Sequence, residues 1–361
     1  MSCHCRDSSC QLGRNRSSCL VPNKIRAADC FVGHSTFFWG DSTSLYLAIA
    51  LEAWLRYTCV QPRAAELPQL ADLTQIVPPG NKMWISKDNP AAPHLHFVHR
   101  QHCAQLPVRL PTDNLPLNAM SPLEAGSTHV FWTGWAGRYT GSTCRPEAIG
   151  SGLLAQLRLT QPSVLVFNFG LHWLHTTTYA KYEPTDPCVL NHWLAYEQHL
   201  TQVVSTAAVA NVKLVVFKTT SRSCDSKWRN DTFERLRKWR RQNASWQRAQ
   251  CARRYQKWLR PGSKLSQEGL DEYCANATFD AAGVARLNLR AVAHILEHRQ
   301  RWEQEKGVHV AIFDDHAIQE CDKARDSAHH WELAYSRLAA LGDELQHWYT
   351  TPAFTNGAHR P

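Results

Sequence analysis

Short apolar runs ending in polar turns alternate with longer amphipathic stretches along most of this chain. HSTFFW (34–39) predicts a first strand, and residues 43–57 a helix. THVFWTGW (128–135) predicts a second strand, followed by a short helix over 150–159. SVLVFNFG (163–170) is a continuous apolar run, as expected of a strand buried on both faces of a parallel sheet. A helix over 192–209 and a strand over 212–220 come next. Residues 283–305 predict a long amphipathic helix, with Leu287, Leu289, Val292, Ile295 and Leu296 on one side. A last strand, 308–315, precedes a last helix, 330–348. Strands alternating with helices imply a mainly parallel sheet covered on both faces, hence an α/β fold.

Two stretches break the alternation. Residues 61–125 are rich in Pro, Asn and His, contain one short apolar patch (HLHFV), and predict an irregular insertion. Residues 221–264 predict a basic, Trp-rich helical insertion. A Cys-rich polar tail (1–27) and a short C-terminal tail (351–361) flank a single domain over 28–350. At 361 residues and 43% hydrophobic, the chain can bury a large core. It holds no apolar run of membrane-spanning length.

In an open α/β sheet the site lies at the carboxyl ends of the strands. Gly40-Asp41-Ser42, Asn168-Phe169-Gly170 and Asp314-Asp315 each follow a predicted strand directly, so three polar clusters converge on one rim. A serine at a strand-to-helix turn can present its hydroxyl to a pocket, but it needs a base. Asp326-Ser327-Ala328-His329 supplies a carboxylate and an imidazole three residues apart, which face the same way on a helical turn. His330 is an alternative base, and Asp314, Asp315 and His316 form an alternative acid–base set. His172 and Trp173, just beyond Asn168, are candidate pocket residues, as are Asp41 and His330.

Taken together, CLVPNKIRAADCFVGHSTFFWGDST, VLVFNFGLHW, LVVFKTTSRSCDSKW, GVARLNLRAV and IFDDHAIQECDKARDSAHH resemble, in order, blocks of the SGNH (GDSL-like) hydrolase superfamily. Within it they are similar to the PC-esterase-like branch that includes plant polysaccharide O-acetyltransferases. The resemblance covers roughly residues 19–348. It implies a three-layer α/β/α sandwich of flavodoxin-like type around a mainly parallel sheet. It also implies a catalytic triad of Ser42, His329 and Asp326. The oxyanion hole would combine the Ser42 backbone N–H, the Asn168 side chain and a glycine, Gly134 or Gly137. The expected activity is serine-dependent O-acyl or O-acetyl ester chemistry on carbohydrate, as esterase or acetyltransferase, with no cofactor and no metal. Two positions depart from the branch: Leu45 stands where Arg is common, and His330 where Tyr or Trp often follows the histidine. The alternative expectation is a catalytically silent glycan-binding or scaffold protein of the same fold.

Charge and cysteine usage add a partner and a compartment. Residues 218–264 hold fifteen Lys or Arg against three Asp or Glu, whereas the whole chain carries only +9. Trp228, Trp239, Trp246 and Trp258 are interleaved with these bases. Such a surface suits an anionic glycan or acyl donor, since aromatic faces stack on sugar rings. Nucleic acid is the weaker fit, because no nucleic-acid-binding motif accompanies the charge. Thirteen scattered cysteines and four Asn-x-Ser/Thr sequons (Asn15, Asn230, Asn243, Asn276) point to an oxidising Golgi or extracellular setting. The N-terminus nonetheless lacks a signal-peptide pattern, as if the chain began downstream of an anchor. Cys224 is expected to serve as a disulfide or packing residue.

Overall fold

The computed structural model describes residues 31, 34–41, 43–51, 95–99, 108–110, 128–133, 146–168, 170–174, 192–230, 244–256, 259, 266–276, 278–322, 324 and 334–349. The elements are β1 (Ser35–Gly40), α1 (43–51), β2 (Leu95–His99), β3 (Val108–Leu110), β4 (Thr128–Thr133), α2 (Pro146–Thr160), β5 (Val164–Asn168) and the short α3 (Gly170–Leu174). Then come α4 (His192–Val209), β6 (Leu214–Lys218), a 3-10 turn (Asp225–Asn230), α5 (Ala244–Gln256), α6 (Gln267–Asn276), α7 (Ala281–Lys306), β7 (His309–Phe313) and α8 (Ala334–Tyr349).

The strands form one sheet in the order β3-β2-β4-β1-β5-β6-β7. The run from β4 through β1, β5 and β6 to β7 is parallel. The chain is therefore an α/β protein built on a parallel sheet. Every described position of β1, β5 and β6 is buried, which explains why these segments read as unbroken apolar runs rather than as alternations.

The period of two still sorts their side chains between the faces. Phe37, Trp39, Leu165, Phe167, Val215 and Phe217 join one apolar cluster, together with Leu153 and Leu157 of α2, Tyr196 and Leu200 of α4, and Leu287 and Ile295 of α7. Phe38, Val164, Val166, Leu214 and Val216 join a second cluster, with Leu47 and Leu51 of α1 and Leu338, Leu341 and Leu345 of α8. Each such side chain removed from water contributes on the order of 1.5–3 kcal/mol.

Two expectations need correction. The insertion over 61–125 is not wholly irregular. HLHFV lies in β2, antiparallel to β4, and β3 pairs antiparallel with β2, so the segment extends the sheet at one edge. Strands of five and three residues are too short to show an alternation of their own. On α7, Leu287 and Ile295 face the core, but Leu289 and Leu296 are 73% and 48% exposed. At 100° per residue they fall on the opposite side from Val284, Leu287, Ala291, Ile295 and Trp302, the stripe that is buried.

α7 is bounded as its sequence requires. Asp280 caps it by accepting the Gly283 N–H at 2.6 Å, and Gly307 ends it in the left-handed region at φ 65°. In the basic insertion, α5 turns Gln247, Cys251 and Tyr255 inward and leaves Arg248, Arg253 and Arg254 outside. Cys251 is bonded to Cys274 of α6. Trp239 and Trp258 lie outside the described residues.

Candidate functional site at the carboxyl ends of the parallel strands

Parallel pairing places the ends of β1, β5, β6 and β7 side by side, so the residues that follow them share one rim. Gly40 at the end of β1 is the register partner of Asn168 at the end of β5, and Lys218 of β6 is that of Phe313 of β7. Gly40 leaves no room for a side chain. A Cβ there would lie 2.5 Å from the Asn168 carbonyl oxygen and 2.6 Å from Ser44 Oγ.

Asp41, 2% exposed, starts α1. Its Oδ1 accepts the Thr43 backbone N–H at 2.9 Å and the Thr43 hydroxyl at 2.6 Å, while its carbonyl accepts the Leu45 N–H at 3.2 Å. This is an N-cap, an arrangement that stabilises a helix by about 1 kcal/mol. Asp41 therefore acts first as the residue that turns strand into helix.

Asn168 is fully buried. Its Nδ2 donates to the Lys218 carbonyl at 2.7 Å and to the Thr220 hydroxyl at 3.3 Å. The Thr220 backbone is fixed in turn by Asn288 of α7, which accepts its N–H at 2.7 Å and donates to its carbonyl at 2.9 Å. Both amide protons of Asn168 are thus directed at the end of β6. Donation to an oxyanion would use the place of the longer bond, to Thr220.

Beneath the same rim lies a buried ionic cluster. Lys218 Nζ donates to Asp315 Oδ2 at 3.0 Å, to the Thr43 hydroxyl at 3.0 Å and, more weakly, to Ser221 Oγ at 3.5 Å. Arg337 of α8 grips Asp315 with two bonds, Nε to Oδ1 at 2.6 Å and Nη2 to Oδ2 at 2.8 Å. Ser221 and Gln319 also donate to Asp315 Oδ2, at 2.9 and 3.0 Å. Burial by itself would push the Asp315 carboxyl up, but Arg337 and Lys218 reverse this and hold it well below the usual carboxylate range. For Lys218, burial dominates and pushes the ammonium down, while Asp315 pulls it back up.

The two carboxylates of the alternative acid–base set are committed to structure. Asp315 is held between two cations. Asp314 Oδ1 accepts the Thr219 hydroxyl at 3.1 Å and the Ala317 N–H at 3.2 Å, which closes the turn after β7. His316 is anchored through its backbone N–H to Thr219 Oγ1 at 2.9 Å, and burial, with Arg222 adding to it, lowers its pKa. Trp173, a candidate pocket residue, is instead fully buried in the first apolar cluster, with its ring 5.2 Å from that of Tyr196. Ser42, Gly134, Gly137, Asp326, His329 and His330 lie outside the described residues, as does the side chain of His172.

Cys224 is joined to Cys321, as a disulfide rather than a nucleophile. The bond links the segment after β6 to the segment after β7, and Arg222 N–H donates to Gln319 Oε1 at 2.9 Å beside it. Away from the rim, α4 and α7 enclose an open cavity of about 630 Å³ lined by Glu197, Thr201, Arg290, His294, Glu297 and His298, among others. Among the described residues no group of three or more His, Cys, Asp or Glu is placed to hold a metal ion. None of their helices is long and apolar enough to cross a membrane.

Sequence reasoning missed Lys218, Arg337 and Thr43 as members of the rim. The signal for two of them was present. Lys218 closes a strand whose other positions are all apolar, and Arg337 falls within the apolar stripe of α8 formed by Leu338, Leu341 and Leu345. A cation at a core position requires a buried partner. Comparison of the chain with family models, with curated proteins and with solved structures gave no match.

Proposed function

We propose that this chain is a serine-dependent acyl-ester enzyme with an SGNH-like α/β/α sandwich, acting on O-acyl groups of carbohydrate. One observation carries the reading. Gly40 and Asp41 form a capped strand-to-helix turn immediately before Ser42, and Gly40 pairs in register with Asn168. A nucleophilic serine of this class needs such a turn, with an amide-bearing side chain on the neighbouring strand end.

In the proposed reaction His329 takes the Ser42 proton as Ser42 Oγ attacks the ester carbonyl. Asp326 holds the imidazole in its working tautomer and stabilises its charged form. Backbone N–H groups at the turn, with Asn168, stabilise the tetrahedral oxyanion. The acyl-serine then passes its acyl group to water or to a sugar hydroxyl. Leu45, where the related branch commonly has Arg, is 8% exposed and packs in the second apolar cluster. Position 45 therefore brings no cation to the acyl donor or acceptor, and substrate binding here differs from that branch. The disulfides Cys224–Cys321 and Cys251–Cys274 support an oxidising, secretory setting.

The test is Ser42→Ala, assayed for hydrolysis of p-nitrophenyl acetate and for release or transfer of acetyl from an acetylated polysaccharide. A fall of about a thousand-fold or more is expected with the fold intact. Activity equal to that of the wild type would remove the mechanism.

A further inference from the structure

Four distant parts of the chain meet at the buried cluster, and their positions along the sequence give it a role beyond packing. Asp315 and Arg337 bracket residues 316–336, the segment that carries Asp326 and His329. Their two-bond ion pair ties the ends of that segment together. Lys218 then extends from Asp315 to the Thr43 hydroxyl, and that hydroxyl donates to Asp41 Oδ1. Arg337 Nη2 adds a long contact to the Thr43 carbonyl at 3.5 Å. Asp41 and Thr43 are the two chain neighbours of Ser42.

We infer that Arg337, Asp315, Lys218 and Thr43 form a positioning device that sets the nucleophile turn against the segment bearing the acid and base. The inference rests on the serine reading given above. Its physical basis is the cost of the cluster. A buried ion pair gains little net stability over apolar residues of similar volume, because desolvation offsets the Coulomb attraction. Lys218, Asp315 and Arg337 are nevertheless all fully buried. What they add is geometric. A guanidinium gripping both oxygens of one carboxylate admits few orientations, and a Lys bridging that carboxylate to a hydroxyl transmits the constraint to α1. Charge is matched along the path: Asp315 faces Arg337 and Lys218, and Lys218 also feels the Asp41 carboxylate. None of the four is proposed to touch the reacting atoms; they act through the turn and through the segment ends.

The experiment measures acylation of Ser42 by a fluorophosphonate probe and steady-state hydrolysis of p-nitrophenyl acetate across pH, together with melting temperature. The variants are Thr43→Val, Thr43→Ser, Arg337→Lys and Ser42→Ala. Thr43→Val keeps the branched shape and removes the bridging hydroxyl; Arg337→Lys keeps the charge and loses the two-bond grip. Each, in its folded form, is expected to lower kcat by about 10- to 100-fold, the scale of a misplacement near 1 Å. KM should stay within about twofold, and the rising limb of the pH–rate profile should move as the base loses its alignment. Thr43→Ser, which restores a hydroxyl, should recover most of the rate. A purely structural cluster would lower the melting temperature and leave kcat, KM and the pH profile of the folded protein unchanged. That result in either folded variant, with Ser42→Ala inactive, overturns the inference and leaves the serine reading intact. Wild-type turnover by Ser42→Ala overturns both.

Discussion

The rim beneath β6 and β7 and the groove between α4 and α7 use the same residue types in opposite ways. At the rim, Lys218, Asp315 and Arg337 are sealed from water, and both cations bond Asp315 at 3.0 Å or less. In the groove, Arg290 meets Glu197 with the arginine side chain half exposed, and farther along α7, outside the groove, Arg301 faces Glu305 at 3.9 Å with both side chains largely in solvent. Water reaches one or both members of these pairs, and it screens Arg301 and Glu305 most, so those two are nearly independent of one another. The first set has no such relief, since removing one member strands a charge in the core. Location within the fold, not the count of ion pairs, decides which charges matter.

The sharpest way to break this contrast is Asp315→Ala. It leaves two buried cations facing each other, and a loss of about 3–5 kcal/mol is expected from urea unfolding. Replacing Cys224 and Cys321 together by Ala should cost about 2–4 kcal/mol, because their bond closes a span of 97 residues. A reducing agent should lower the wild-type melting temperature in the same direction and leave that of the double variant less affected.

Acid should separate the groups further. Asp315 titrates below its ordinary value of 3.8 in the folded state. Its contribution is thus complete above that pH and is lost as pH falls through and below it, where the unfolded chain takes up the proton first. His294 and His316 are both lowered from 6.5, chiefly by burial. The unfolded chain binds their protons more readily, so stability should already decline gently as pH drops through 6.5. Urea midpoints measured from pH 7.5 to 3 should show both steps, and Asp315→Asn should remove the lower one. The smallest effect belongs to Arg301→Ala, expected to change stability by about 0.5 kcal/mol or less, and less still in high salt. A cost near that of Asp315→Ala would refute the contrast.

Much of the frame was legible in the residues. STFFW, VLVF and LVVF are strands because their apolar runs are short and each ends in polar residues. α4 and α7 were visible from length and periodicity, although Leu289 and Leu296 show how an apolar count can mislead when the angle around the helix is ignored. At the site, Gly40, Asp41 and Asn168 could be placed on one rim from the order of strands and turns alone. The β2–β3 edge was not visible, because such short strands acquire their identity only from the neighbour that completes their hydrogen bonds.

Local chemistry therefore determined the α/β alternation, the capped turn before Ser42 and the location of the polar rim, each a matter of residues within a few positions of one another. Tertiary structure alone decided the strand order, which cysteines join, and the meeting of Thr43, Lys218, Asp315 and Arg337. That meeting spans 294 residues between Thr43 and Arg337. No periodicity encodes it, because a buried charge finds its partner only when the sheet and its helices have closed around both.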